Sequence, residues 1–294
     1  MKLGFVTAIL DSWTYEEMMD FASEQGFECV EVACWPQEKA ERRYAGVSHI
    51  DAERVNREDA YAEHIVEYAK KSGVEISALA YYPNVMAADK EKSKAAVEHL
   101  KQVILASKKL GVGMVTTFIG RDQTKNVQEN LELVKEIWPP IIKLAEECDV
   151  KVAIENCPML FGEDQWPGGQ NLMTTPPIWR EVFRILDSDH LGINYDPSHF
   201  IWQMIDYIRP LYEFKDKIFS MSTTRTSRST KTSWNPAVSW HIRWNTCHRR
   251  SRDLEMWTGE NMYQHLRILD MTVIPVSRSR TRPLKIPRKR LRIL

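Results

Sequence analysis

Strand-like and helix-like segments alternate strictly over the first 219 residues, and this alternation restricts the fold more than any other feature of the sequence. Short apolar runs predict strands, and an amphipathic stretch of helical period follows each of them. Such alternation predicts a parallel sheet whose strands are joined by right-handed crossovers. We therefore expect six complete strand–helix units and the start of a seventh.

The predicted strands are Lys2–Val6, Cys29–Ala33, Glu75–Ala80, Met114–Thr117, Lys151–Glu155 and Leu191–Tyr195, with a seventh beginning at Lys217–Phe219. The predicted helices are Tyr15–Gln25, Asp59–Ser72, Lys90–Leu110, Val127–Cys148, Pro177–Leu186 and Tyr207–Phe214. Thr14 and Glu17 have the spacing of a capping box for the first helix. Two consecutive prolines, at positions 139 and 140, are expected to kink the fourth.

Polar and aromatic residues follow the carboxyl ends of these strands, which decides between an open sheet and a closed barrel. No GxGxxG motif follows the first strand, which disfavours an open dinucleotide-binding sheet. Barrel active sites are built at the carboxyl ends of the strands. We therefore predict an α/β fold, a (β/α)8 TIM barrel, with its barrel domain over residues 1–219.

Strands five and six end in AIENCP and NYDPSHF, and these endings place acidic groups at one mouth. Glu155 is the last residue of strand five, and Asp196 follows strand six with His199 three residues later. Two carboxylates at one mouth repel unless a cation lies between them. Oxygen ligands with one imidazole suit Mn²⁺ or Mg²⁺ and allow Co²⁺ or Zn²⁺. The alternatives are a buried ion pair for Glu155 and a satisfied loop histidine at position 199.

Further candidate residues lie near the same strand ends. The aromatic residues that could wall a sugar pocket, with simple packing as the alternative, are Trp35, Tyr81, Tyr82 and Trp166. The two glycines of WPGG let a loop turn sharply or let backbone N–H groups approach a ligand, unless they form a plain turn. Arg121 and Lys151 could hold a phosphate, although a solvated charge is the commoner interpretation of each.

With ENCP, WPGG and YDPSHF in place, residues 1–219 resemble the sugar phosphate isomerase/epimerase family of xylose isomerase-like TIM barrels, which includes tagatose 3-epimerases and hydroxypyruvate isomerases. The resemblance implies a divalent metal, Mn²⁺ before the others, held by a strand-five Glu, a strand-six Asp, a strand-seven His and a strand-eight Glu. The first two fall on Glu155 and Asp196, and His199 falls on a position that contacts substrate.

The resemblance also implies chemistry. The two family glutamates transfer a proton alpha to a carbonyl through a metal-bound enediolate, which makes Glu155 the catalytic candidate. We group Trp35, Asn156 and Trp166 with His199 as substrate-binding residues. The expected partner is a small sugar, with no nucleic acid and no membrane, and family analogy allows a homodimer. An endonuclease IV-like nuclease is the alternative, but strands three and four end without the histidines that a zinc cluster needs.

The family pattern stops after Phe219. The family continues with His-Val-His-x-Lys-Asp, whereas this chain reads SMSTTRT. One choice of codons for SMSTTRTS, read from the third base of the Ser220 codon, gives His-Val-His-Tyr-Lys-Asp-Ile. The same shift applied from Glu255 onward permits a last helix and an eighth strand ending in Glu. We infer a frameshift after about Phe219, in the gene or in its recorded sequence.

Composition changes at the same point. Residues 220–294 contain 16 basic and only 4 acidic side chains, although the whole chain is balanced at 40 of each. We interpret residues 220–294 as an out-of-frame, disordered or irregular segment, rather than as a basic tail for nucleic acid. Without real seventh and eighth strands, a six-stranded sheet would stay open and expose its edges. We therefore expect a destabilised and poorly active chain, and an inactive frameshifted product is a further alternative.

The five cysteines form no CxxC pair, which favours a reducing compartment. The first residues lack the layout of a signal peptide, and no apolar run is long enough for a membrane helix. A cytoplasmic location is therefore expected.

Overall fold

Parallel strands in chain order surround the centre of the molecule. The computed structural model describes residues 2–36, 45–160, 168–222 and 275–277. Within them, the strands are β1 (Gly4–Val6), β2 (Cys29–Ala33), β3 (Glu75–Ala80), β4 (Met114–Thr117), β5 (Lys151–Glu155), β6 (Leu191–Tyr195), β7 (Ile218–Ser222) and β8 (Pro275–Ser277). Each strand pairs with the next, and β8 pairs with β1, so the sheet is a closed barrel.

Helices connect the strands and contact one another around the barrel. They are α1 (Tyr15–Glu24), α2 (Ala52–Arg57), α3 (Asp59–Ser72), α4 (Lys90–Leu110), α5 (Val127–Ile137), α6 (Pro139–Cys148), α7 (Pro176–Leu186), α8 (Pro197–Gln203) and α9 (Arg209–Glu213). The predicted capping box starts α1, because the Thr14 side chain accepts from the Glu17 N–H and the Glu17 side chain accepts from the Thr14 N–H. No helix in the described ranges is both long and apolar enough to cross a bilayer.

The predicted TIM barrel with six intact units is confirmed, but the expectation that its sheet stays open is wrong for the described residues. β7 continues past Phe219 because strand pairing uses the backbone and does not require the side chains of the family pattern. Ser220 pairs with Asn194 of β6. β8 is only 3 residues long and has two register pairs with each neighbour. Apart from residues 220–222 and 275–277, the segment 220–294 lies outside the described residues, and its assignment stays a prediction.

Two predicted helices are altered by local chemistry. The long helix at 127–148 is divided rather than kinked: α5 ends before Trp138, and α6 begins with Pro139 at its first position. Proline has no N–H to donate, so it is tolerated at a helix start but not inside one. α2 and α8 were not predicted; α8 begins directly after β6, where Asp196 caps it and Pro197 occupies the first position.

The apolar core lies between the barrel and its helices. Its largest fully buried side chains include Trp138 and Trp179. Each indole N–H reaches a backbone carbonyl, of Ile119 and Met173 respectively, at 2.9 Å. The polar atoms of both rings are therefore satisfied inside the core.

Candidate functional site

Two carboxylates are delivered to one mouth of the barrel by neighbouring strands. Glu155 is the last residue of β5 and is 0% exposed, and Asp196 directly follows β6 and is 1% exposed. The register pairs Glu155 with Asn194, two residues before Asp196. The Asp196 side chain accepts from the Ser198 N–H at 2.9 Å, which fixes its orientation at the start of α8. The strand ends thus bring together the two predicted metal ligands.

His199 lies between these carboxylates. Its Nε2 is 3.5 Å from Glu155 Oε1 and 3.4 Å from Asp196 Oδ2. Burial lowers the pKa of His199, but Cys157, Asp196 and the hydrogen bond with Glu155 outweigh burial and raise its pKa to about 10. An imidazolium here offsets the repulsion of two buried carboxylates. The structure thus brings His199 together with both predicted metal ligands, and its predicted contact with substrate stays a prediction.

Cys157 belongs to the candidate metal cluster, although the sequence analysis did not single it out. One donor atom each from Glu155, Cys157 and His199 lie within 4.8 Å of one another, and all three residues are buried. A carboxylate, a thiol and an imidazole are a donor set that suits a divalent transition metal. The available signal was the position of Cys157 two residues after Glu155, in the same strand-end turn.

Two asparagines hold the strand ends in place. The Asn156 side chain donates to the Asp196 carbonyl at 2.9 Å and accepts from the Asp196 N–H at 2.7 Å. The Asn171 side chain donates to the carbonyls of Glu155 and Cys157 at 2.8 and 2.7 Å and accepts from the Ile119 N–H at 3.2 Å. These bonds fix the ends of β5 and β6 relative to each other and join them to the segment that follows β4.

A family model described as the xylose isomerase-like TIM barrel matches residues 19–235. The chain belongs to this family. Its sequence matches no curated protein, whereas solved structures resemble this xylose isomerase-like barrel closely in fold.

Sugar epimerases and isomerases are prominent among the structural neighbours. 3-Keto-D-glucoside 4-epimerase from E. coli is 12% identical with a TM-score of 0.67, covering 96% of this chain and 93% of its own. D-psicose 3-epimerase from Clostridium cellulolyticum H10, solved with D-tagatose, is 15% identical with a TM-score of 0.66, covering 94% and 84%. The IOLI protein, solved with a bound zinc atom, is 18% identical with a TM-score of 0.61, covering 94% and 88%.

Aromatic rings line part of the mouth of this xylose isomerase-like barrel. The Trp35 ring meets the edge of Tyr81 at 4.9 Å between centroids, and Tyr82 packs on Phe118 at 4.8 Å. Trp35 also packs against the apolar cluster that contains Cys157, so its predicted place beside the site is compatible with the geometry. Trp166 lies outside the described residues, and its predicted substrate contact stays a prediction.

Asn156, predicted to bind substrate, is 0% exposed, and both ends of its amide are used by Asp196. In this conformation it positions a carboxylate. Its predicted contact with substrate stays a prediction.

A second polar cluster crosses the barrel interior and was also missed. Glu31 of β2 is 0% exposed; it accepts from the Tyr82 hydroxyl and, at 2.8 Å, from the Thr116 hydroxyl. Asn194 donates to the Tyr82 oxygen at 3.2 Å and accepts from Ser220 at 2.6 Å. We call these five residues the inner network. Its sequence signal was an acidic residue in the middle of the apolar strand CVEVA.

Proposed function

We propose that the chain descends from metal-dependent sugar or sugar-phosphate isomerases and epimerases, and that its barrel retains half of that catalytic machinery. The observation that carries the proposal is the convergence of Glu155 and Asp196 on His199 at the barrel mouth. Barrel enzymes carry their chemistry at this end of the strands. The structural neighbours named for sugar epimerisation support the substrate class.

Glu155 is the residue that we assign to proton removal alpha to the sugar carbonyl. Its carboxylate is buried at the strand end, and Asn171 holds its backbone carbonyl. A positioned carboxylate acts as general base by taking the carbon-bound proton as an enediolate forms. His199, which faces both carboxylates, would donate hydrogen bonds to substrate oxygens. Trp35 would exclude water on the side where it packs.

A divalent cation bound at this mouth would polarise the carbonyl oxygen and the adjacent hydroxyl oxygen of the sugar. Glu155 and Asp196 would hold it, and Cys157 lies close enough to Glu155 to add a third ligand. Mn²⁺ remains our first candidate on the two carboxylates. The thiol is a ligand type that Zn²⁺ accepts more readily, so competition between the two ions tests this choice.

The chain as written lacks the other half of the machinery. β7 contains Ser220, Met221 and Ser222 but no histidine, and β8 reads Pro-Val-Ser without a carboxylate. Epimerisation needs a second acid to return the proton on the other face of the carbon. The inferred frameshift explains both absences, since the shifted frame restores a strand-seven histidine and a strand-eight glutamate. We therefore expect the chain as written to be impaired.

A nuclease of the endonuclease IV type receives no support from the described residues. Of the described histidines, only His199 belongs to the candidate metal cluster. His49 and His99 instead contact backbone carbonyls, of Leu10 and Cys34. The proposal includes a cytoplasmic location, which the free cysteines in the described ranges favour, and a homodimer, which sedimentation would test.

The test measures proton removal separately from epimerisation. Exchange of the ketose alpha proton in D₂O is followed by NMR for the chain as written, for the restored-frame chain and for Glu155→Gln in the restored frame. We expect the restored-frame chain to exchange and epimerise with Mn²⁺, and Glu155→Gln to exchange at least about 100-fold more slowly. Glu136→Gln, an exposed helix position, is the matched control.

Two outcomes would contradict the proposal. Unchanged exchange in Glu155→Gln would remove the catalytic role of this residue. Stoichiometric Mn²⁺ binding and full turnover by the chain as written would overturn the expected impairment, and genomic DNA read across codon 219 would show which reading frame exists.

A further inference from the structure

Arg121 lies at the same barrel mouth as the candidate metal cluster, four residues after the end of β4. Its backbone is fixed by one side chain: the Arg121 N–H donates to Asn84 Oδ1 at 2.8 Å, and Asn84 Nδ2 donates to the Arg121 carbonyl at 2.8 Å. The preceding Gly120 has a φ of +83°, and a side chain there would meet Asn84 Oδ1 at 2.7 Å. The direction in which Arg121 leaves the strand end is therefore built into the backbone.

The guanidinium of Arg121 has no counter-charge in the part of the chain that the structure describes. Its Nε is buried there without a hydrogen-bond partner. Burial lowers the pKa of Arg121, and no described carboxylate raises it. The adjacent Asp122 is committed elsewhere, since its carboxylate accepts from the N–H and the hydroxyl of Thr124. Arg121 is half-buried in the structure, so its charge is only partly solvated.

The WPGG glycines make room for this guanidinium. A side chain at Gly168 would lie 3.2 Å from Arg121 Nη2, and one at Gly169 would lie 1.8 Å from the Pro158 carbonyl oxygen. The Gly168 carbonyl accepts from the Gln123 side chain at 3.2 Å, which holds the segment in place. The chain thus passes closely over Arg121 on one side and over the turn after β5 on the other.

The same segment connects Arg121 to the candidate catalytic group. Leu172 donates to the Gly120 carbonyl at 3.0 Å, and Asn171 donates to the Glu155 carbonyl at 2.8 Å. Arg121 and Glu155 therefore flank one short piece of chain. Arg121 follows β4 and Glu155 ends β5, and these two strands are neighbours in the barrel.

We propose that Arg121 binds an oxyanion carried by the substrate, either a phosphate monoester or a sugar carboxylate. A guanidinium stays charged at neutral pH, and the half-buried Arg121 has no carboxylate beside it in the described residues, so an incoming anion that accepts from its N–H groups is favoured. Its planar N–H groups match the two oxygens of a phosphate or a carboxylate. This inference rests on the proposed function and deepens it, because it assigns an acidic sugar to the site.

Calorimetry on the full chain tests the proposal with four probes: inorganic phosphate, D-fructose, D-fructose 6-phosphate and D-fructuronate. We expect one of the two acidic sugars to bind about 10- to 100-fold more tightly than D-fructose, the range for hydrogen bonds to a charged group. Arg121→Gln should reduce that affinity to the level of D-fructose. Arg57→Gln, an exposed arginine on α2, should leave it unchanged.

Gly168→Ala is the second variant, because its methyl group displaces the guanidinium without removing the charge. It should also weaken the acidic sugar, with circular dichroism showing that the barrel is intact. Preference for the phosphate over the carboxylate, or the reverse, identifies the anion. Equal affinity for D-fructose and both acidic sugars would overturn the proposal, as would a loss of stability in Arg121→Gln without any change in binding.

Arg121 precedes the inferred frameshift, so both reading frames contain it. Binding of an acidic sugar by a restored-frame chain that exchanges no protons would support the anion site while contradicting the proposed function. Proton exchange by a chain that binds charged and uncharged sugars with equal affinity would support the proposed function and contradict the anion site. The two ideas therefore fail separately.

Discussion

Replacing Tyr82 by phenylalanine tests whether the inner network stabilises the barrel. The substitution removes one hydroxyl, which donates to Glu31 and accepts from Asn194 at 3.2 Å. The ring still packs on Phe118, so no cavity forms. A hydrogen bond to a charged group contributes about 1.5–3 kcal/mol and a neutral one about 1 kcal/mol. Because Glu31 keeps its bond from Thr116 at 2.8 Å, its carboxylate is not left without a donor. We therefore expect the free energy of unfolding to fall by about 2–3 kcal/mol.

Equilibrium unfolding in urea, followed by circular dichroism, measures this loss. Tyr15→Phe is the matched control, because the buried Tyr15 hydroxyl makes a single neutral bond, to the Ile65 carbonyl at 2.9 Å, and should cost about 1 kcal/mol. Combining Tyr82→Phe with Thr116→Val removes both of these donors from Glu31. We expect the double variant to lose at least about 0.5 kcal/mol more than the separate losses predict. A Tyr82→Phe chain no less stable than Tyr15→Phe would refute the reasoning.

Three further predictions concern stability measured by urea unfolding. Burial lowers the pKa of His49 below 6.5, so the unfolded chain binds this proton at a higher pH than the folded chain does, and the free energy of unfolding falls as the pH drops below about 6.5. The difference in this free energy between wild type and His49→Gln should therefore shrink below that pH. A difference that stays constant with pH would contradict this. Gly169→Ala places a methyl group 1.8 Å from the Pro158 oxygen and should cost about 3 kcal/mol, against about 1 kcal/mol for Gly26→Ala, where φ is +74° and the space is open. Asn171→Ala removes the partner of three backbone groups and should cost about 3 kcal/mol; a loss below 1 kcal/mol would show that water replaces it.

The fold was predictable from sequence because its rules are local. Strand–helix alternation predicted the barrel, and the capping box predicted the start of α1 at Tyr15. α8 was missed because a cap and a proline after β6 also suit a turn. The closure of the barrel was not predicted for two reasons. β8 forms by pairing with the free edges of β7 and β1, and a strand of three residues is too short to show an alternating hydrophobic pattern in the sequence.

The candidate site was predictable only where it follows strand ends. Glu155, Asp196 and His199 were found because their positions along the chain place them at the mouth. Cys157 joins them through a turn whose direction no spacing specifies. The partial burial of Arg121 could not be predicted, because Arg121 packs beside Gly168, which is 47 positions away in sequence.

The Asn156 clamp has a consequence for how such a barrel changes over evolutionary time. Because one amide joins the ends of β5 and β6, Glu155 and Asp196 keep their spacing whatever happens in the loops beyond them. Mutations in those loops can alter which molecule enters without moving these two carboxylates. The same pair of carboxylates can therefore serve different substrates in different descendants, as the loops change and the strand ends stay the same.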